Sequence, residues 1–192
     1  GTIRFRFYSR YGLEAEEIAG IIVFCGVTVG LGLFTIAGVA LLLRPDFAQE
    51  IVGFPLAGVL ALGCACLVVP ALYLAAAALR FGPIRFRQWS LTMPTLPIAA
   101  GQVAVGTLNY AFVSACLHQA LSGATEVPYL NAAAVYVLAQ VATLITHVPG
   151  GLGVIESVVL YLLPGGQLIG AVLVFRFVYF LVPLALGSVL FA

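Results

Sequence analysis

The sequence predicts an all-α protein, a polytopic transmembrane helix bundle with a re-entrant or broken helix at a Pro-Gly-Gly turn. The first observation is composition, since 63% of the residues are hydrophobic and only 8% are charged. Globular domains carry about 25% charged residues to keep their surfaces wet. The second is a series of long stretches without charge, and the third is Pro149-Gly150-Gly151, which interrupts the apolar pattern near the end.

Each long apolar stretch matches the length of a membrane span. A helix rises about 1.5 Å per residue, so about 20 apolar residues cross a hydrocarbon core of about 30 Å. The sequence is interpreted as a single transmembrane domain covering residues 1–192, and its missing initiator Met and apolar end predict a fragment of a longer chain. The predicted spans are residues 18–43, 51–79, 98–117, 127–148 and 167–192, with a short broken helix at 152–163.

The region after residue 127 allows two interpretations. A segment such as 152–163 is too short to cross the membrane, so residues 127–163 can form a re-entrant pair of half-helices that meet at the Pro-Gly-Gly turn. The alternative is one full span followed by a short interfacial helix. A second interruption, Pro164-Gly165-Gly166, precedes the last apolar run.

The arginines between the spans predict the orientation. Three precede the first span, one lies in the 44–50 loop, three lie at 80–97 and none lies at 118–126. Because positive residues stay on the cytoplasmic side, the N-terminus is predicted to be cytoplasmic. The scattered arginines do not form the basic face that nucleic-acid binding needs, so direct nucleic-acid binding is not expected.

Two ionisable residues lie deep in the last apolar region. Glu156 precedes Pro164 by eight residues, and Arg176 follows Gly166 by ten. If that turn joins antiparallel helices, the two charges lie about 12 and 15 Å from it, at similar depth, and can pair. Charges in hydrocarbon are costly, so the pair either fixes the helices or lines a polar path. We favour the path, because other polar residues converge with it.

Two polar stripes support a hydrated groove. Tyr136, Gln140, Thr143 and His147 follow the spacing of one helix face on the fourth span. Gln102 and Asn109 lie seven residues apart on the third span. His147 is interpreted as a hydrogen-bonding helix cap in preference to a titrating group.

Two pairs of glycines have proposed roles. Gly150 and Gly151 either stop a helix with positive φ or expose backbone N–H groups to an anionic head group. Gly26 and Gly30 form a small-xxx-small pair that favours close helix packing. The candidate substrate-binding residues are Glu156, Arg176, Gly150, Gly151, His147, Gln140 and Asn109.

No catalytic, metal or cofactor site is predicted. The sequence has no G-x-S-x-G nucleophile motif and no C-x-x-C spacing among its four cysteines. Neither His118 nor His147 has a second ligand at metal-binding spacing.

Two segments near the C-terminal end resemble a known family. The run HVPGGLGVIE at 147–156, followed by FRFVYFLVP at 175–183, resembles the transmembrane domain of the lysylphosphatidylglycerol synthase and flippase family. This is the multiple peptide resistance factor group with its stand-alone relatives. The segment YGL at 11–13, ahead of a charged turn and an apolar helix, is similar as well.

The resemblance implies a function in a bacterial cytoplasmic membrane. Its leading form is a flippase module that moves aminoacylated phosphatidylglycerol, such as lysyl-phosphatidylglycerol, between leaflets and contributes to antimicrobial peptide resistance. In that form Glu156 meets the ammonium groups of the lipid and Arg176 meets its phosphate.

Two other functions stay open beside the flippase. One is a membrane anchor that presents lipid to a phosphatidylglycerol lysyltransferase. Independently of the resemblance, a structural or regulatory membrane module without transport is a third alternative. The implied partners are the phospholipid, the bilayer and a C-terminal soluble aminoacyltransferase domain that uses aminoacyl-tRNA, and a homo-oligomer is left open.

Overall fold

The computed structural model of the protein describes residues 8, 12–79, 84–86, 89–91, 93–163 and 168–190. Within them the helices are α1 (Ala15–Leu43), α2 (Pro45–Val52), α3 (Leu56–Ala78), α4 (Leu96–Leu121), α5 (Tyr129–Thr146), α6 (Val154–Leu162), α7 (Leu168–Arg176) and α8 (Val182–Leu190). A 3₁₀ turn (Pro149–Gly151) precedes α6, and a π-helical turn (Phe177–Leu181) joins α7 to α8. Two three-residue strands, β1 (Ile84–Phe86) and β2 (Trp89–Leu91), form an antiparallel hairpin.

The predicted all-α transmembrane bundle is confirmed. Among the described residues, five helices are long and apolar enough to cross a membrane: α1, α3, α4, α5 and the continuous helix Leu168–Leu190. Their mean hydropathy lies between 1.3 and 2.3. Many of their large apolar side chains are exposed, as expected where the surrounding solvent is lipid and not water.

The predicted spans differ from these helices mainly at their ends. The span predicted at 51–79 begins at Leu56, because Gly53 adopts a left-handed conformation (φ 71°) and ends the separate helix α2. The span predicted at 127–148 ends at Thr146, where His147 turns left-handed. The predicted interruption at 164–166 lies outside the described residues, as do residues 167, 191 and 192.

The orientation stays a prediction. Arg4, Arg6, Arg10, Arg80 and Arg87, which contribute most of the positive charge behind it, lie outside the described residues. Helix α2 replaces the predicted 44–50 loop, and Arg44 lies directly before its first residue.

The chain divides into two compact units. The first comprises Gly1–Thr35 and Leu67–Leu108, and the second comprises Ile36–Cys66 and Asn109–Ala192. In the first unit, α1 and α4 approach closely at Gly32 and Gly106, where a Cβ on Gly106 would lie 2.2 Å from the Thr28 carbonyl oxygen. The predicted packing glycines Gly26 and Gly30 are not at this crossing, since no described neighbour lies within 4 Å of a Cβ on either.

The second unit is organised around α5, α6 and α7. Helix α6 packs against both α5 and α7. The start of α6 lies near the end of α5, since a Cβ on Gly151 would meet both Thr143 and Ile155. The end of α6 shares a cavity wall with Asn131 at the start of α5, so the two helices run antiparallel. Fully buried side chains on these elements include Val135, Ile155, Val159, Leu168, Val172 and Phe175.

Candidate functional site

Helix α5 ends at a left-handed residue. His147 has a φ of 53°, and its backbone N–H donates to the Thr143 carbonyl at 3.0 Å. Its exposed ring places Nδ1 3.0 Å from the Ile145 carbonyl oxygen. Both contacts lie at the C-terminus of α5, in agreement with the interpretation of His147 as a helix cap.

The turn after His147 needs its glycines. Gly150, Gly151 and Gly153 have φ values of 65°, 59° and 80°, a region that side chains with a Cβ rarely enter. Gly151 is also crowded, since a Cβ there would lie 2.7 Å from Thr143 Oγ1. The positive φ expected of Gly150 and Gly151 is confirmed, but α5 already ends at His147, so the two glycines shape the turn before α6 and do not stop α5. The Gly151 N–H, which was the alternative anion ligand, donates to the Val148 carbonyl at 3.0 Å.

Arg176, at the end of α7, occupies this helix break. Its Nη1 donates to the Gly150 carbonyl at 3.0 Å, and its Nη2 donates to the Gly151 carbonyl. The guanidinium carbon also lies 5.3 Å from the ring centroid of Phe180. In hydrocarbon, broken backbone is tolerated only when protein groups satisfy it, and Arg176 supplies donors to both freed carbonyls.

Glu156, in the first turn of α6, neutralises Arg176. The Arg176 Nε donates to Glu156 Oε1, and Nη2 donates to Oε2 at 2.7 Å, so the pair is bidentate. The prediction that these residues pair is confirmed. The arginine side chain is 10% exposed and the glutamate 23%, so the carboxylate is the more accessible member of the pair.

Aromatic rings pack beside the arginine. Phe175 contacts the Tyr136 ring edge to face at 6.0 Å and stacks on Tyr179 at 5.6 Å. The cation–π partner Phe180 was missed from the sequence. Phe180 lies four residues after Arg176, and residues four apart are neighbours on a helix surface, so this spacing is the sequence feature that identifies it.

The predicted stripe on α5 has members in different environments. Tyr136 is buried among the rings, and Gln140 is half-buried. The Thr143 hydroxyl donates to the Ala139 carbonyl at 2.8 Å, and the His147 side chain is exposed. Tyr136 therefore belongs to the packed core and not to a hydrated groove.

The predicted stripe on α4 is not continuous. Gln102 is buried, and its Nε2 donates to Thr28 Oγ1 at 3.0 Å and to the Phe24 carbonyl at 3.2 Å. Its Oε1 accepts from the Tyr73 hydroxyl. Asn109 is exposed. The polar groups of Gln102 are thus used in hydrogen bonds between helices. Gln102 and Asn109 do not line one groove together.

The charged pair offers ionic recognition and no nucleophile. A guanidinium fork binds phosphate or carboxylate, and a carboxylate binds ammonium. Across the part of the chain that the structure describes, no group of three or more His, Cys, Asp or Glu side chains is placed to hold a metal ion.

Comparisons with known proteins identify two curated relatives, and no family model matches the chain. The chain is 30% identical over 191 residues to Uncharacterized protein slr0712 of Synechocystis, covering 97% of this chain and 59% of that protein. It is 28% identical over 199 residues to Inner membrane protein YbhN of Escherichia coli, covering 97% of this chain and 60% of that protein. The chain therefore spans about three fifths of the length of these relatives.

The similarity to an inner membrane protein agrees with the apolar helices. Both relatives match almost the whole chain, and five of its helices have the length and hydropathy of membrane spans. The chain is a multi-pass membrane protein.

Proposed function

We propose that the chain is a lipid translocase module that moves aminoacylated phosphatidylglycerol, such as lysyl-phosphatidylglycerol, between the leaflets of a bacterial cytoplasmic membrane. The observation behind the proposal is the bidentate Glu156–Arg176 pair at a helix break, with the carboxylate partly exposed. The resemblance of residues 147–156 and 175–183 to the flippase family supports the choice of lipid.

The head group of this lipid matches both members of the pair. Its phosphate suits the guanidinium fork of Arg176, and its ammonium groups suit the carboxylate of Glu156. In the structure each residue of the pair neutralises the other. The phosphate of an entering head group takes the place of Glu156 beside Arg176, and its ammonium groups take the place of Arg176 beside Glu156. Neither charge is then left unpaired.

This exchange favours a head group that has both charges. Leaving one member of a buried ion pair without its partner costs about 3–5 kcal/mol. Plain phosphatidylglycerol offers a phosphate to Arg176 but only neutral hydroxyl groups, and no positive charge, to Glu156. The aminoacylated lipid can offset both losses, which gives selection by charge.

The helix break supplies further acceptors. When Arg176 turns toward a phosphate, the Gly150 and Gly151 carbonyls lose their donors. An ammonium group has three N–H donors and can satisfy them. The remaining predicted binding residues, the exposed His147, the half-buried Gln140 and the exposed Asn109, stay part of this proposal.

The experiment uses the full-length protein in its own membrane. The variants are Glu156→Gln and Arg176→Lys, which keep side-chain size while removing the negative charge or the planar fork. Exposed Glu16→Gln and half-exposed Arg44→Lys are matched controls. Total lysyl-phosphatidylglycerol is measured by lipid extraction, and its outer-leaflet fraction by a membrane-impermeant amine reagent.

In both site variants we expect a normal total amount of lysyl-phosphatidylglycerol. Its outer-leaflet fraction should fall at least about tenfold, because a loss of about 1.4 kcal/mol of binding free energy weakens binding of the head group tenfold. The controls should match the parent protein. An unchanged fraction in both site variants, with normal protein levels, would show that the pair only fixes the helices.

The same experiment tests the alternative function. If the chain anchors a phosphatidylglycerol lysyltransferase and presents its lipid, total lysyl-phosphatidylglycerol falls while the exposed fraction stays constant. The attached aminoacyltransferase domain and its aminoacyl-tRNA belong to this proposal about the longer protein, since the chain spans about three fifths of its relatives.

A further inference from the structure

A π-helical turn interrupts the last apolar helix directly after Arg176. It covers Phe177–Leu181, and the Val182 backbone N–H donates to the carbonyl five residues earlier, that of Phe177, instead of the usual four. Pro183 comes next. A proline has no N–H to donate, and in a regular α-helix its ring clashes with the carbonyl four residues before it. The wider turn therefore accommodates the proline, and turns of this kind are frequent at functional sites.

The π-helical turn changes which side chains lie next to Phe180. An α-helix has about 3.6 residues per turn, which would place Phe180 above Arg176 and the exposed Phe177. In the wider turn Phe180 lies further back, toward Phe175. The ring centroids of Phe175 and Phe180 are 6.4 Å apart, although residues five apart are not neighbours on an α-helix. The turn thus brings Phe180 beside two buried residues, Phe175 and Arg176.

Other aromatic rings hold Phe180 in place. Its ring contacts the Tyr179 ring edge to face at 4.9 Å, and Tyr179 stacks on Phe175 at 5.6 Å. Phe175 is fully buried and contacts Tyr136 of α5 at 6.0 Å. The packed core of the second unit therefore fixes the position of the Phe180 ring.

Arg176 has two kinds of partner. Its hydrogen bonds to Glu156 and to the Gly150 and Gly151 carbonyls depend on the direction of each N–H. The guanidinium carbon lies 5.3 Å from the Phe180 ring centroid, and this attraction comes from the negative face of the ring. It does not depend on which acceptor each N–H meets. The arginine can therefore exchange its acceptors while the ring contact remains.

We propose that Phe180 is a positioning residue for Arg176, which holds the guanidinium at the helix break while its N–H groups exchange Glu156 and the two glycine carbonyls for the phosphate of a lipid head group. The exchange rests on the proposed function, whereas the ring contact does not. Without the ring, the arginine side chain has more orientations open to it, and ordering it for the phosphate costs more binding free energy. Phe180 thus contributes to head-group binding without touching the lipid.

The first experiment weakens the negative face of the ring with little change in its size. Phenylalanine with one, two or three ring fluorines replaces Phe180 in the full-length protein in its own membrane, and the outer-leaflet fraction of lysyl-phosphatidylglycerol is measured. We expect this fraction to fall with each fluorine, to about a third with three, in line with the strength of a cation–π contact. The same replacements at the exposed Phe177 are the control and should have no effect.

The second experiment measures the ring contact without transport. The thermal unfolding midpoint of the purified full-length protein is determined for the Phe180 series, with the natural charged pair and with Glu156→Leu and Arg176→Met together. With the pair present, we expect the midpoint to fall by about 2 °C with three fluorines. Without it the midpoint should stay constant, because a ring that only packs responds equally in the two backgrounds.

Equal shifts in the two backgrounds would show that Phe180 only fills space. If the double variant does not fold, fluorinated Phe177 provides the comparison, and equal midpoints for the Phe177 and Phe180 series would overturn the contact.

The two experiments separate this proposal from the proposed function. If Arg176→Lys lowers the outer-leaflet fraction but the Phe180 series does not, the translocase holds and the positioning role is wrong. If Arg176→Lys leaves the fraction unchanged, the translocase is wrong, and the unfolding midpoints decide whether Phe180 holds the guanidinium.

Discussion

Each unit of the protein buries polar side chains between helices, but the two do so differently. In the first unit, neutral Gln102 links three unbroken helices through Thr28, Phe24 and Tyr73. In the second unit, charged Arg176 fills the gap in a broken helix pair and is neutralised by Glu156.

The difference separates structural packing from a candidate site. Hydrogen bonds between neutral side chains in membrane helices contribute about 0.6–1.7 kcal/mol each, and they are a common way to fix helices. Intramembrane charges are costly and are retained mainly where they have a use. The charged cluster also has a partly exposed member, whereas Gln102 is buried.

Loss of the arginine is expected to have the largest effect. Arg176→Ala leaves Glu156 without a counter-ion and two carbonyls without donors, so we expect the free energy of unfolding to fall by about 3–5 kcal/mol. The measurement is a denaturant titration of the full-length protein in mixed micelles. The double variant Glu156→Leu with Arg176→Met should recover part of the loss, because it removes the unpaired charge but not the unpaired carbonyls. A loss for Arg176→Ala as small as 1 kcal/mol would place the pair in the same class as Gln102.

A methyl group at the helix crossing of the first unit should have the next largest effect. Gly106→Ala places a Cβ 2.2 Å from the Thr28 carbonyl oxygen, so α1 and α4 must separate, and we expect a loss of about 3 kcal/mol. Gly30→Ala is the control on α1, since no described atom lies within 4 Å of its Cβ. Comparable unfolding midpoints for the two variants would contradict the close approach.

The helix break should show a smaller backbone effect. Gly151→Ala combines a positive φ with a Cβ that would lie 2.7 Å from Thr143 Oγ1, and we expect a loss of about 2 kcal/mol. Gly150→Ala has the same kind of φ without a crowded Cβ and should lose only about 1 kcal/mol. Adding Thr143→Ala to Gly151→Ala should recover the extra stability that Gly151→Ala loses relative to Gly150→Ala. If the double variant is no more stable than Gly151→Ala, the contact with Thr143 is not the cause of that extra loss.

Replacement of the neutral cluster is expected to have the smallest effect. Gln102→Leu removes three hydrogen bonds but leaves no charge unpaired, so we expect a loss of about 1 kcal/mol and an unchanged outer-leaflet fraction of lysyl-phosphatidylglycerol. The same leaflet assay as for Glu156→Gln provides the comparison. A strong loss of exposure in Gln102→Leu would show that the polar path also depends on the first unit.

The sequence predicted the spans better than their ends. Apolar length identified all five long helices, because hydrocarbon thickness constrains that length directly. The ends were less predictable, since they depend on single left-handed residues such as Gly53 and His147. The small hairpin of β1 and β2 was not predicted, because three-residue strands leave almost no periodic signal.

The candidate site was predictable only in part. The depth of Glu156 and Arg176 followed from counting residues, and their pairing is confirmed. The Gly150 and Gly151 carbonyls were not expected to be the partners of Arg176, because sequence spacing does not show which backbone group faces a side chain. Asn109 was grouped with Gln102 by periodicity, yet one is exposed and the other buried, because burial depends on which helices pack nearby.

By itself, the sequence determined that the chain is a helical membrane protein with two opposite charges at similar depth. These properties depend on composition, length and rise per residue, which are local quantities. The tertiary structure decided that α1 and α4 meet at Gly32 and Gly106, and that Arg176 closes the helix break. Such contacts join residues far apart in the chain, and only the packing of helices against one another determines which side chains meet.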